Sequence, residues 1–301
     1  MDWIFLAVFS ISLFSLSNVI DKVVLDKYIN NAGAVGIIVG IAGFIVSLLV
    51  YAIFGVSLFP IKDATIILLS GILGVFYLVP YFQALLVDEA SRVIPLYQIV
   101  PIFTLILSFI VLKESIANMQ IVGFVLVLLG GFLISIERFD KLVFKIRPAF
   151  WYMMLASLLF SISTVLFRFV VVSNDFWSTF AYEGMGMGIG GLILFLIPAY
   201  SKQFKVVIRT LNRSLYPIVG LNEGVFVFAR LTSNAAVLAT PSLALVSVIG
   251  GIQPFFVFIY AAFLTIFFPK ILKEDISKRA VLGKVIPMVV ILVGTYLMSV
   301  G

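Results

Sequence analysis

Glu223 stands nine residues after Ser214 in an otherwise apolar stretch. That is about 14 Å of helical rise into a hydrocarbon core of about 30 Å, which puts Glu223 at the midplane of a bilayer. Asn222 precedes it, and Arg230 and Asn234 follow at i+7 and i+11, a polar stripe too deep to be surface snorkelling. An ionisable group at such depth costs about 2.5–3.5 kcal/mol on insertion scales, and such groups bind cargo, carry protons or pair with one another. For Glu223 the chemistry is either capture of a substrate amine or a coupling proton, or structural pairing with a basic or amide group on a facing helix. Arg230 is a clamp for a substrate carboxylate or the counter-ion of Glu183. Glu183, early in its own apolar run, and Arg168, late in the preceding one, are expected near the outer face as a gate pair. Lys22, near the inner end of the first run, is a third gate candidate; for Arg168 and Lys22 the alternative is snorkelling to the interface. Tyr77, Tyr81, Gln83, Tyr97, Gln98 and Gln253 add aromatic and amide groups suited to a small amphipathic ligand.

Other chemistries lack their residues. The chain has no cysteine and no histidine, which excludes disulfides, thiolate nucleophiles, Cys/His zinc sites and imidazole relays. No paired carboxylates or nucleophile–base set converge in the sequence, so an enzyme acting on lipid is the weaker reading, and no catalytic residue, metal or cofactor is expected. A non-transporting packing or sensor protein is a third reading, against which the midplane charges argue.

The elements that must position these residues are membrane spans. Of 301 residues, 63% are apolar and 11% charged, with a mean hydropathy of +1.24; soluble domains run at about 45–50% and about 25%. The apolar runs approach the ~20 residues that cross a bilayer as a helix. The sequence therefore predicts an all-α integral membrane protein of ten transmembrane helices, at about 3–22, 32–54, 64–87, 91–112, 119–136, 149–172, 177–199, 214–236, 241–267 and 281–300. The first run has no basic n-region before it and reads as a retained span. Trp3, Trp151 and Trp177 fall at span ends as interface anchors.

The ten spans divide into two copies of five. Phe14–Val24 (FSLSNVIDKVV) recurs as Phe160–Val170 (FSISTVLFRFV), with five of eleven positions identical and Lys22 matched to Arg168. Gly36, Gly40 and Gly43 match Gly184, Gly188 and Gly191 at an offset of 148, Val75-Phe76 match Val225-Phe226 at 150, and Pro101 and Pro254 occupy spans 4 and 9. The longest internal break, Glu137–Pro148, lies almost at the midpoint. The expected organisation is a first repeat at 1–140, a cytoplasmic linker at 141–148 and a second repeat at 149–301. An odd number of spans per copy forces the second copy to enter from the opposite face, so the repeats are inverted, an architecture recurrent in secondary transporters with a midplane site between the halves. Gly36-x3-Gly40, Gly184-x3-Gly188, Gly186-x3-Gly190 and Gly220-x3-Gly224 are expected to let helix backbones approach closely. Pro80, Pro95, Pro101 and Pro254 are expected to kink their spans.

Sixteen of the twenty Lys and Arg residues fall in the breaks after odd-numbered spans, against Lys62 and Lys113 on the other face. This predicts basic loops in the cytoplasm and both termini outside. The net charge of +6 reflects that asymmetry and calls for no nucleic-acid partner.

Ala90–Ser135 resembles the signature half of the EamA family of the drug/metabolite transporter superfamily. The pattern is a mid-helix Pro101, Glu114 at the helix end, Gln120 and Gly123 opening the next helix, then Gly130. Pro254, Glu274, Gly283 and Gly294 resemble it more loosely, with seven extra residues between proline and glutamate. The resemblance implies an alternating-access carrier of small metabolites, commonly an exporter of amino acids or related compounds, with a central cavity between the halves. It supplies no binding residues and makes Glu114 structural. The expected partners are a small-molecule metabolite, a candidate coupling proton and the lipid bilayer. Multidrug, sugar-phosphate and nucleotide-sugar carriers are the alternatives within the superfamily, and monomer and homodimer both stay open.

Overall fold

The computed structural model describes residues 3–27, 31–88, 93–113, 117–135, 148–210, 216–269, 271 and 277–300, which are helical with short connections and, as described, contain no strand. The first half comprises α1 (Trp3–Lys27), α2 (Ala32–Phe54), α3 (Ile61–Phe76), α4 (Leu78–Val87), a 3₁₀ segment (Ile94–Ile99), α5 (Val100–Leu107) and α6 (Asn118–Ser135). The second comprises α7 (Pro148–Val171), α8 (Phe176–Leu196), α9 (Pro198–Thr210), α10 (Tyr216–Ala239), α11 (Leu243–Ile249), a 3₁₀ turn (Gly250–Ile252), α12 (Gln253–Phe267) and α13 (Lys278–Val300). Six stretches among the described residues are long and apolar enough to cross a membrane: Trp3–Leu25, Ala32–Phe54, Ile61–Val87, Pro148–Val171, Phe176–Leu196 and Leu245–Phe267. The protein is therefore a multi-pass membrane protein. Large apolar side chains lie outward on the spans, among them Ile41, Ile45, Leu48 and Leu49 on α2, as lipid requires. The linker Glu137–Arg147, Glu114, Arg92 and the side chains of Pro95 and Gln98 lie outside the described residues.

Start signals match the sequence. Asn31 Oδ1 accepts from Ala34 N at 2.8 Å to cap α2, and Asp175 Oδ2 accepts from Ser178 N at 2.8 Å to cap α8. The seventh span ends earlier than expected, because Pro198 opens a separate amphipathic helix, α9, instead of extending α8 to residue 199. Lys205 of α9 lies 5.6 Å over the Phe195 ring.

Three of the helical stretches expected as spans break partway along their length. Span 3 turns at Tyr77, three residues before Pro80, whose missing N–H cannot close the helical ladder. Spans 4 and 9 share a design: a 3₁₀ segment followed by a helix whose second residue is proline, Pro101 in α5 and Pro254 in α12. Proline is tolerated there because the first turn of a helix has no partner for its N–H.

The halves interdigitate. α1 packs on α10 and α12, while α7, at the corresponding place in the second half, packs on α3, α4 and α5. α2 packs on α8 and α6 on α13. Glycines make these contacts close. A Cβ at Gly40 would lie 2.6 Å from the Gly191 Cα, one at Gly294 would lie 2.6 Å from the Gly123 carbonyl oxygen, and one at Gly186 would fall on the Leu68 carbonyl. Gly220 and Gly224 break the expectation: a Cβ at either would meet nothing within 4 Å, so this pair does not mediate helix packing. Its stripe faces outward because the buried side of α10 is taken by Asn222, Phe226, Ala229 and Arg230. Gly186→Val should prevent recovery of folded, monodisperse protein in detergent. Gly220→Ala should leave yield unchanged and raise thermal stability slightly, by about 1 kcal/mol of helix propensity.

Candidate functional site

A central cavity of about 100 Å³ runs between the halves. α1 contributes Ser10, Phe14, Asn18 and Asp21; the break between α3 and α4 contributes Tyr77 and Tyr81; the 3₁₀ segment and α5 contribute Tyr97 and Val100. From the second half come Phe160 and Thr164 of α7, Phe226 and Ser233 of α10, Ser247 of α11, and Gly250 and Gln253 at the break before α12. All three helix breaks border this space. Non-helical backbone is tolerated at membrane depth where it lines a cavity, so the breaks and the cavity explain each other.

The lining is aromatic with a polar floor. Phe14 meets Phe226 edge-on at 5.7 Å, Tyr77 meets Phe160 at 5.0 Å, and Tyr81 lies 5.3 Å from Tyr97. Tyr81 Oη donates to Asn18 Oδ1 at 3.0 Å, and Asn222 Nδ2 donates to Asp21 Oδ1 at 2.7 Å. Ser15 Oγ donates to the Ile11 carbonyl and reaches the Gln253 carbonyl at 3.3 Å. Asn18 Nδ2, Asn222 Oδ1 and Glu223 Oε2 are buried without a hydrogen-bond partner among the described residues.

Beside the cavity lies a separate buried cluster. Arg230 Nη2 donates to Glu183 Oε1 at 2.7 Å, Asn234 Nδ2 donates to Glu183 Oε2 at 2.7 Å, and Ser70 Oγ reaches Glu183 Oε1 at 3.3 Å. Ser70 and Ser163 exchange hydroxyl-to-carbonyl bonds at 2.8 and 2.9 Å, which extends the cluster from α8 and α10 into α3 and α7. Gly74 makes room for the guanidinium: a Cβ there would stand 2.6 Å from Arg230 Nη2. Of the two roles open to Arg230 in the sequence, the geometry shows the counter-ion.

The gate pair does not form. Arg168 donates to the carbonyls of Val237, Leu238 and Thr240, at the C-terminal end of α10, while Glu183 faces Arg230. Lys22 does the same in the first half, donating to the Leu85 carbonyl at 3.0 Å and the Asp88 carbonyl at 3.5 Å, at the C-terminal end of α4. Cations favour such ends because the last carbonyls of a helix lack backbone partners and carry the negative pole of its dipole. The matched residues Lys22 and Arg168 thus occupy matched places.

Of the residues singled out in the sequence, Tyr77, Tyr81, Tyr97 and Gln253 line the cavity. Asn222 reaches it through Asp21. Glu223 and Gln83 are not among the lining residues, and Glu223 stands behind Asn222 within electrostatic range of Asp21. Sequence reasoning missed Asp21 and Asn18. The available signal was their spacing: Ser10, Phe14, Asn18 and Asp21 fall at i, i+4, i+8 and i+11, one face of α1. Phe14 and Phe160, and Asn18 and Thr164, which match in the sequence, line the cavity from both halves.

The sequence profile of the EamA-like transporter family matches residues 1–136. The chain belongs to the EamA-like transporter family. Membership implies a non-enzymatic membrane transporter of the drug/metabolite transporter superfamily. The chain is also similar to an uncharacterised protein of Methanocaldococcus jannaschii, 33% identical over 103 residues, which are 34% of this chain and 75% of that protein. A solved structure, described as the crystal structure of a protein, aligns with a TM-score of 0.66 at 14% identity over 98% of this chain and 94% of the other, a likeness of fold.

Glu183→Ala leaves the Arg230 guanidinium buried and unpaired, and should lower unfolding free energy in detergent by about 3–5 kcal/mol. Adding Arg230→Met should recover part of that loss. Additive destabilisation in denaturant titrations would show that the two side chains do not act as a pair.

Proposed function

We propose that this EamA-like protein is a secondary active transporter that exports a small amphipathic metabolite by alternating access. Its halves, residues 1–140 and 149–301, are five-helix repeats of opposite orientation joined by the linker at 141–148. One observation carries the reading: the central cavity is bounded by helices of both halves, and its walls include every helix break described above. Such a site changes exposure when one half rocks against the other. The exchanged packing of α1 and α7 and the matched helix-end bonds of Lys22 and Arg168 support the repeat. Aromatic walls with scattered amides and hydroxyls suit a compact amphipathic cargo such as an amino-acid derivative; the same walls favour a multidrug carrier as the second reading.

The basic loops are assigned to the cytoplasm and both termini to the outside, from the placement of Lys and Arg. A C-terminal alkaline phosphatase fusion should therefore be active and a fluorescent-protein fusion dark; the reverse pattern would invert the assignment. Purified protein in liposomes, screened first by thermal shift against metabolites, should show counterflow of a stabilising compound. Stabilisation by several metabolites with counterflow of none would overturn the transport reading.

A further inference from the structure

We infer that the cargo carries a cationic amine held by the Asp21 carboxylate, and that a proton occupies this carboxylate when the amine is gone. The inference rests on the transport reading and names its substrate class.

The argument begins with charge. Asp21 is the one ionisable carboxylate among the lining residues, and neither Lys nor Arg is among them. The nearby cations are committed elsewhere: Lys22, the next residue, donates to the Leu85 and Asp88 carbonyls, and Arg230 is paired with Glu183. The titratable groups facing Asp21 from the packed elements offer no positive charge. They are Glu223 on α10, Tyr77 and Tyr81 at the α3–α4 break and Tyr97 on the 3₁₀ segment; Tyr260 on α12 is bonded to Ser12 at 2.6 Å. Among the described residues, the hydrogen bond that Asp21 accepts is the neutral one from Asn222. A carboxylate in an apolar, membrane-embedded cavity is costly unless neutralised, so its countercharge must come from the cavity itself.

A second, independent feature points to a ligand. Asn18, only 7% exposed, lines the cavity with an Nδ2 that has no partner among the described residues. It lies three residues before Asp21 on the same face of α1, about 4.5 Å along the helix axis. The pair would hold a cation at Asp21 and an acceptor oxygen, hydroxyl or carbonyl, at Asn18. The rings of Phe14, Tyr77 and Phe160 supply faces for the cation and for an apolar body. Phosphorylated cargo finds no cation among the described lining residues.

Exchange follows from the single site. The ammonium and the proton each neutralise the same oxygen pair, so binding of a protonated amine expels one proton from the carboxylic acid to solvent. The cavity keeps its charge in both states. Carrying one protonated amine one way and one proton the other is electroneutral.

The test uses the full-length protein in detergent and three probes of similar shape: phenylalaninol, neutral N-acetylphenylalaninol and anionic 3-phenylpropionate. Phenylalaninol should bind at least tenfold more tightly than the other two by calorimetry, and a weakly buffered titration should release about one proton per amine bound. Asp21→Asn should lose tenfold or more in affinity and the proton release, and Asp21→Glu should restore both. If Asp21→Asn does not fold, proton release by the unaltered protein decides. Equal or tighter binding of the neutral or anionic probe, no binding of phenylalaninol, or binding without proton release would overturn the inference. Counterflow of 3-phenylpropionate would then leave the transport reading standing, whereas amine binding with proton release but no counterflow supports the site and tells against transport.

Discussion

The ion pair between Glu183 and Arg230 determines what the rest of the membrane interior can do. Both groups are almost fully buried, and with Asn234, Ser70 and Ser163 they satisfy one another across α3, α7, α8 and α10. A guanidinium at that depth without its carboxylate would draw water or anionic cargo toward α10. Paired, it is electrically quiet. The cavity next door is consequently left with a single carboxylate and an otherwise neutral wall.

Helix breaks convert packed spans into a chamber. Tyr77 before Pro80, the 3₁₀ turn before Pro101 and the 3₁₀ turn before Pro254 each release the helical ladder at one point, and each points its freed segment at the same space. Elsewhere the glycines of α2, α3 and α8 bring backbones together so closely that no side chain fits between them. The second half is thus closely packed on its α8 side and lines the cavity on its α7–α10 side.

Much of this was legible in the chain. Composition gave the membrane class, the polar stripe on α10 gave a buried charge cluster, and the pairing of Glu183 with Arg230 stood among its readings. Tyr77, Tyr81, Tyr97 and Gln253 were found as aromatic and amide groups suited to a small amphipathic ligand. The rest depended on rotation about helix axes, which periodicity fixes only within a helix. Glu223 is one residue removed from Asn222, and that step turns it away from the cavity. Asp21 was overlooked because it sits beside Lys22 near a span end, where a charged pair reads as solvated. The bonds of Arg168 to the end of α10 were not legible because that end is distant in sequence, and the outward Gly220–Gly224 stripe was misread because spacing alone does not show which face a helix buries.

Lys22 and Arg168 give this arrangement a mechanical character. Each ties its own helix to the end of another in the same half, α1 to α4 and α7 to α10, while side-chain packing joins α1 to α10 and α7 to α4 across the halves. Four stiff rods joined in this way form a closed linkage around the chamber. Tilting one rod would press on the others, so under the alternating-access reading proposed above these two bonds would couple the ends of the chamber. Under that reading, loosening either bond would uncouple them.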